Sequence, residues 1–129
     1  MASVFEISFE GDHVLVRIEG EKSIEGSTKL FTALIAACDE YQCFDILGIS
    51  NATSPMPVDD GYQHADMFKR LGFDNRYRLA WVEQTTEAVS ATYFVETVLV
   101  NRGLPGRLFN SVSDAKAWLL NKDPQQETT

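Results

Sequence analysis

The segment SNATSPMPVDDGYQHADMFKR, Ser50 to Arg70, gathers the side chains best suited to chemistry. It holds hydroxyls at Ser50, Thr53 and Ser54, carboxylates at Asp59 and Asp60, and one of the chain's two histidines, His64. Asp60 and His64 stand four residues apart, so on a helix they share a face. There a carboxylate raises an imidazole's basicity and prepares it as an acid or base. An exposed ion pair is the plainer outcome of the same spacing, and no nucleophile is placed beside His64 by sequence. Asp59 or Asp60 equally suits a helix N-terminus, accepting from unpaired N–H groups and complementing the dipole. Pro55 and Pro57 stiffen the approach to it. In a contact region, the carboxylates would offer charge to a partner while Met56, Met67 and Phe68 supply apolar surface.

Other chemistry is sparse. Arg76 and Arg78 are two apart and would share a strand face; with Arg102 and Arg107 folded nearby they would make an anion site. Otherwise such arginines pair with surface acids, which are plentiful. The chain has no phosphate-binding loop, no dinucleotide fingerprint and no G-x-S-x-G elbow. Cys38 and Cys43 match neither a redox nor a zinc spacing, and two distant histidines do not complete a metal site. Free thiols are expected, with a local disulfide left open. His13 reads as a turn residue. No metal and no cofactor is expected.

The elements that must position these residues follow from periodicity. Phe5, Ile7 and Phe9 alternate with polar residues, and Val14, Val16 and Ile18 alternate with Leu15 and Arg17, which predicts an N-terminal hairpin turning at Gly11-Asp12. Ser23 caps a helix carrying Ile24, Leu30, Phe31, Leu34, Ile35 and Cys38 on one face. CFDILGIS is a nearly continuous apolar run, the mark of a strand covered on both sides. A helix from about Asp60 to Leu71, the strand RYRLAWV, a helix started by Thr85-Thr86-Glu87 and running to about Asn101, the strand GRLFN and a helix opened by Ser111-x-x-Asp114 complete the order. Strands alternating with helices require a mixed, mostly parallel sheet, so the expected class is α/β, with an N-terminal β-hairpin and about four helices. Residues 1–121 read as a single domain and 122–129 as a disordered polar tail.

The helix EAVSATYFVETVLVN is apolar almost all round. Either neighbours in the same chain bury it on two sides, or Tyr93, Val95 and Leu99 meet a second copy. The homodimer is the favoured expectation.

A net charge of −8 argues against binding nucleic acid through its phosphates. Acidic residues crowd the first half, whereas the second half is nearly balanced. The N-terminal MASVFEISFE lacks the basic and apolar regions of a signal peptide, and no apolar run reaches the ~18 residues of a membrane span. A cytoplasmic protein without a transmembrane segment is the expectation.

Several phrases carry a family likeness: HVLVRIEGEKSIEG, FDILGIS, RYRLAWV and NRGLPGRLFNSVSDAKAWLL, with the helix leading into the last. On these the chain resembles the SpoIIAA-like branch of STAS proteins (the sulfate transporter and anti-sigma factor antagonist fold), and the likeness covers nearly the whole globular part. Anti-sigma factor antagonists of this fold carry a phosphorylatable serine in a D-S-S-G motif, at the start of the helix after the third strand. The matching place here is VDDG, Val58 to Gly61, so that serine falls on Asp59 and the chain departs from the switch. The branch is also similar in fold to lipid-binding Sec14-type modules, which implies an apolar ligand pocket between helices and sheet. Residues and resemblance together imply a non-enzymatic regulatory or binding module, acting through a protein partner or a small apolar or anionic ligand. Competing expectations are a small hydrolase-like or lyase-like enzyme using His64 with Asp60, and a structural homodimer.

Overall fold

The computed structural model describes residues 4–21, 23–52 and 60–120. The chain runs β1 (Val4–Phe9), β2 (Val14–Gly20), α1 (Ile24–Tyr41), β3 (Asp45–Ala52), α2 (Asp60–Leu71), β4 (Arg78–Glu83), α3 (Thr86–Asn101), β5 (Arg107–Phe109) and α4 (Val112–Leu120). This is the order the periodicity predicts. The five strands form one sheet in chain order, with β1 antiparallel to β2 and the remaining pairs parallel.

The hairpin pairs Phe5 with Ile18, Ile7 with Val16 and Phe9 with Val14, so its period-two apolar residues share one face. Gly11 makes its turn with φ at +96°, where a side chain would be strained. His13 does more than turn the chain. It is buried, and its Nδ1 lies 2.6 Å from the Asp12 carboxylate.

Helices α1, α2 and α3 cover the face that carries Val14, Val16, Ile18, Ile46 and Leu79, and the main core sits beneath them. Phe31, Phe68 and Phe73 are its centre, with ring centroids 4.7–5.3 Å apart. Among the described residues, helix α4 is the element that covers the opposite face, over Leu47, Ile49, Ala80 and Val82. That accounts for the continuous apolar reading of β3, whose residues 46–50 are all buried.

Capping follows the sequence in part. Ser23 Oγ accepts from Gly26 N at 3.0 Å, and Ser111 Oγ accepts from Asp114 N at 3.1 Å. Thr85 precedes α3 without a capping bond; its hydroxyl donates to Asn51 Oδ1 instead. Helix α1 ends at Gln42, a non-glycine residue in the left-handed region with φ at 51°. Its side-chain amide donates to the Asp39 carbonyl, which offsets part of the strain.

Two expectations need correction. Met67 is fully buried in the core, so it packs the fold and offers no contact surface; Phe68 is buried with it. Val95 and Leu99 are also buried, because α3 turns them onto the sheet beside Thr92 and Val98. They line the interior of the monomer, and only Tyr93 of that trio faces outward, at 62% exposure. Helix α3 is therefore buried along the side of Thr92, Val95, Val98 and Leu99, while Val89, Tyr93 and Val100 stay exposed, so it is not covered on two sides within the chain. Cys38 and Cys43 are free thiols.

Candidate functional site

Between the α1–α3 layer and the sheet lies an open cavity of about 80 Å³. Its floor is Trp81 and Leu79 of β4, with Ile18 and Leu108 at the sides. Leu30 and Phe31 of α1, Phe68 of α2, and Val95 and Leu99 of α3 form its walls. The lining is mostly carbon, interrupted by a few polar side chains from α1, α2, α3 and the end of the sheet.

The platform under the cavity is set by one glycine. Gly48 stands opposite Trp81 in the β3–β4 register, and a Cβ there would lie 2.4 Å from Trp81 Cε3. The indole therefore lies down on the backbone of β3, a position that needs the missing side chain. Trp81 Nε1 points at Glu83 Oε2, 3.4 Å away, and Thr92 Oγ1 donates to the same oxygen at 3.1 Å. Glu83 is buried, and these donors satisfy one of its two carboxyl oxygens.

The second polar feature joins two helices. His64 of α2 is 4% exposed, and its Nε2 lies 3.0 Å from Ser27 Oγ of α1. Both side chains line the cavity. Ser27 differs here from Thr28, Thr32 and Thr97, each of which donates to the carbonyl four residues back. Ser27 instead shares its hydrogen with, or accepts one from, an imidazole on another element. At the far end, Glu96 Oε2 accepts from Leu108 N at 2.6 Å, which ties α3 to the edge strand β5. Gly106 passes under Leu99 there, with φ at +142° and with a Cβ that would come 2.9 Å from Leu99 Cδ1.

Of the residues expected to form the contact region, His64 is in the cavity wall. Ser50 is buried at the carboxyl end of β3, directly opposite Glu83, and its hydroxyl has no hydrogen-bond partner among the described residues. Asp60 is the first residue of α2, and its side chain lies outside the described residues. Thr53, Ser54, Met56 and Asp59 lie outside them as well.

The four arginines do not assemble into an anion site. Arg76 sits in the turn before β4 and binds Asp74 at 3.0 Å, so it shares no strand face with Arg78. Arg102 pairs with Asp66 at 3.7 Å and lies over the Tyr62 ring. Arg78 and Arg107 both approach the Trp118 ring, at 4.2 and 6.0 Å from its centroid, along an open groove of about 350 Å³. Arg78 is already engaged by the Trp118 carbonyl at 2.8 Å and by Asp45. Arg76, Arg78 and Arg102 each have an acid within ion-pair distance, which leaves them partnered where they stand.

Sequence reasoning misses Ser27, Thr92, Glu83 and Trp81 as site residues. Thr92 had a signal, because it falls in line with Val95 and Leu99 on the inward stripe of α3, where a polar residue must find a buried partner. Ser27 had none, since it is 37 residues from His64. Among the described residues, no group of three or more His, Cys, Asp or Glu side chains could hold a metal ion. No helix among them is long and apolar enough to cross a membrane.

No family model matches the chain, and no curated protein matches it.

Proposed function

We propose that the chain is a binding module for a small, largely apolar molecule carrying one hydrogen-bonding group, seated in the cavity between the α1–α3 layer and the sheet. The observation that supports this most is a carbon-lined cavity interrupted by a few placed polar groups, the usual make-up of a small-molecule site. At about 10–15 Å³ for each water-sized group, the space takes roughly five to eight non-hydrogen atoms before it opens to solvent. The ligand is then the size of one ring or a short branched chain. The resemblance to the SpoIIAA-like STAS branch, similar in fold to lipid-binding modules, favours the same reading and a regulatory role. Occupancy would act through the packing of α2 and α3, whose inward faces form the walls and whose outward faces carry Tyr62 and Tyr93. Tyr93 is the residue of the expected dimer contact that still faces outward.

The test is a titration with p-cresol, followed by NMR. The expected result is saturable movement of the Trp81 indole N–H and of the Ile18, Leu79, Val95 and Leu99 methyls. The Trp118 indole, on the opposite face of the sheet, should stay still. Movement of both indoles alike, or of neither, would refute the assignment.

A further inference from the structure

We infer that Ser27 is a nucleophile activated by His64, and that the molecule admitted to the cavity is an ester of a short apolar acid. This goes beyond binding and rests on the cavity being the binding site. Three observations support it together. The hydroxyl and the imidazole nitrogen are at hydrogen-bond distance, 3.0 Å, although they come from different helices. This is the nucleophile–base arrangement that covalent acyl transfer needs. Both side chains line the same carbon-walled space, so an acyl group seated against Leu30, Phe31 and Phe68 would bring its carbonyl toward Ser27. Finally, Ser27 forgoes the bond to the carbonyl four residues back that Thr28 and Thr32 of the same helix make, which leaves its hydroxyl turned to the base.

The chemistry balances with water as the second substrate. Ser27 Oγ attacks the ester carbonyl carbon while its proton passes to His64 Nε2. The bond from that carbon to the alcohol oxygen then breaks, and the departing alcohol takes the proton from Nε2. A water molecule next attacks the acyl-serine, giving its proton to Nε2. The Ser27 Oγ–acyl bond breaks, Oγ recovers the proton, and a carboxylic acid leaves. The sequence requires His64 in its Nδ1-protonated form, so that Nε2 accepts. No aspartate is needed from Asp60, which separates this reading from an enzyme built on the Asp60–His64 pair.

The experiment uses the full chain with p-nitrophenyl butyrate and with phenylmethylsulfonyl fluoride. Wild type should release p-nitrophenolate with a burst near one equivalent, and should gain one phenylmethylsulfonyl group that peptide mapping places on Ser27. Ser27→Ala should abolish both. Ser27→Cys should restore the butyryl adduct, which a hydroxyl with only a packing role would not predict. His64→Gln should slow acylation at least a hundredfold, in the range assigned to general-base assistance. Because His64 is buried, that variant counts only if its methyl spectrum remains folded, and Ser27→Ala carries the test without it. No burst and no adduct in wild type overturns the inference. If p-cresol still binds in that case, the binding-module reading survives alone; if it does not, both fall.

Discussion

Replacing Gly48 by alanine separates the packing account of the cavity floor from a purely conformational one. In a strand, alanine ordinarily gains about 0.4–1 kcal/mol over glycine at a compatible position by restricting the unfolded chain. Here the added methyl would sit 2.4 and 2.6 Å from two Trp81 ring carbons. Carbon pairs rest near 3.5–4.0 Å, so the ring must retreat by about 1 Å. It has little freedom to do so. Phe31 lies alongside with its ring centroid 6.3 Å from that of Trp81, Nε1 faces Glu83, and the strand bearing the indole is paired on both sides. Overpacking of this kind costs typically 1–3 kcal/mol, so after the conformational gain a net loss of about 1 kcal/mol is expected. With a urea dependence of about 1–3 kcal/mol per molar, the unfolding midpoint should fall by roughly 0.5 M at unchanged slope. Urea denaturation followed by far-UV circular dichroism avoids using the displaced indole as reporter. The paired variant Trp81→Leu should absorb the methyl, so Gly48→Ala in that background should be neutral or slightly stabilising. A double-mutant cycle then gives a coupling of about 2 kcal/mol. A Gly48→Ala protein as stable as wild type, or a coupling near zero, would refute the claim that the indole lies on the β3 backbone.

Burial divides the α3 residues once read as one dimer face. Leu99→Glu should cost about 3–5 kcal/mol of monomer stability by emptying a core site and burying a charge, whereas Tyr93→Glu should stay within about 0.5 kcal/mol; thermal melts of the two variants check this, and equal melting temperatures would count against the inward placement of Leu99. The Cys38 thiol is pushed up to about 12, chiefly by burial and further by Cys43 and Asp45, so Ellman's reagent at pH 8 should titrate Cys43 first and Cys38 only after unfolding. The Asp74 carboxyl is held below its ordinary value, first by the Arg76 backbone N–H and then by its side chain. A lowered carboxylate favours the folded state above its unfolded pKa, and that preference is lost as pH falls through the folded value. NMR titration should show Asp74 below its usual midpoint, with Arg76→Ala recovering only part of the shift because the backbone donor remains.

The sequence by itself determined the elements and their order, because strand and helix periods are local properties of which residues alternate. The hairpin face of Phe5, Ile7 and Phe9, the doubly covered strand through Ile46–Ser50 and the capping serines at 23 and 111 were all legible. So was the mixed sheet, since helices between strands force parallel crossovers. What tertiary structure alone decided is where each apolar side went. Periodicity marks α3 as apolar all round and cannot say that Val95 and Leu99 face the sheet while Tyr93 faces out. The site was hidden for the same reason. His64 stood out as a residue type, and spacing pointed to Asp60, four residues away, whose side chain lies outside the described residues; what spacing could not show is that the fold brings Ser27 to it, from a helix that precedes β3. The arginines show the same limit: Arg76 stays with Asp74 in its own turn, Arg102 meets Asp66 of α2, and Arg78 and Arg107 converge on Trp118 of α4, partners that spacing along one element does not give. Spacing along one element fixes which side chains share its face, but contacts between elements depend on how the layers stack. That stacking follows from the volumes packed between them, down to the one hydrogen atom at Gly48 that lets an indole form the floor of the cavity.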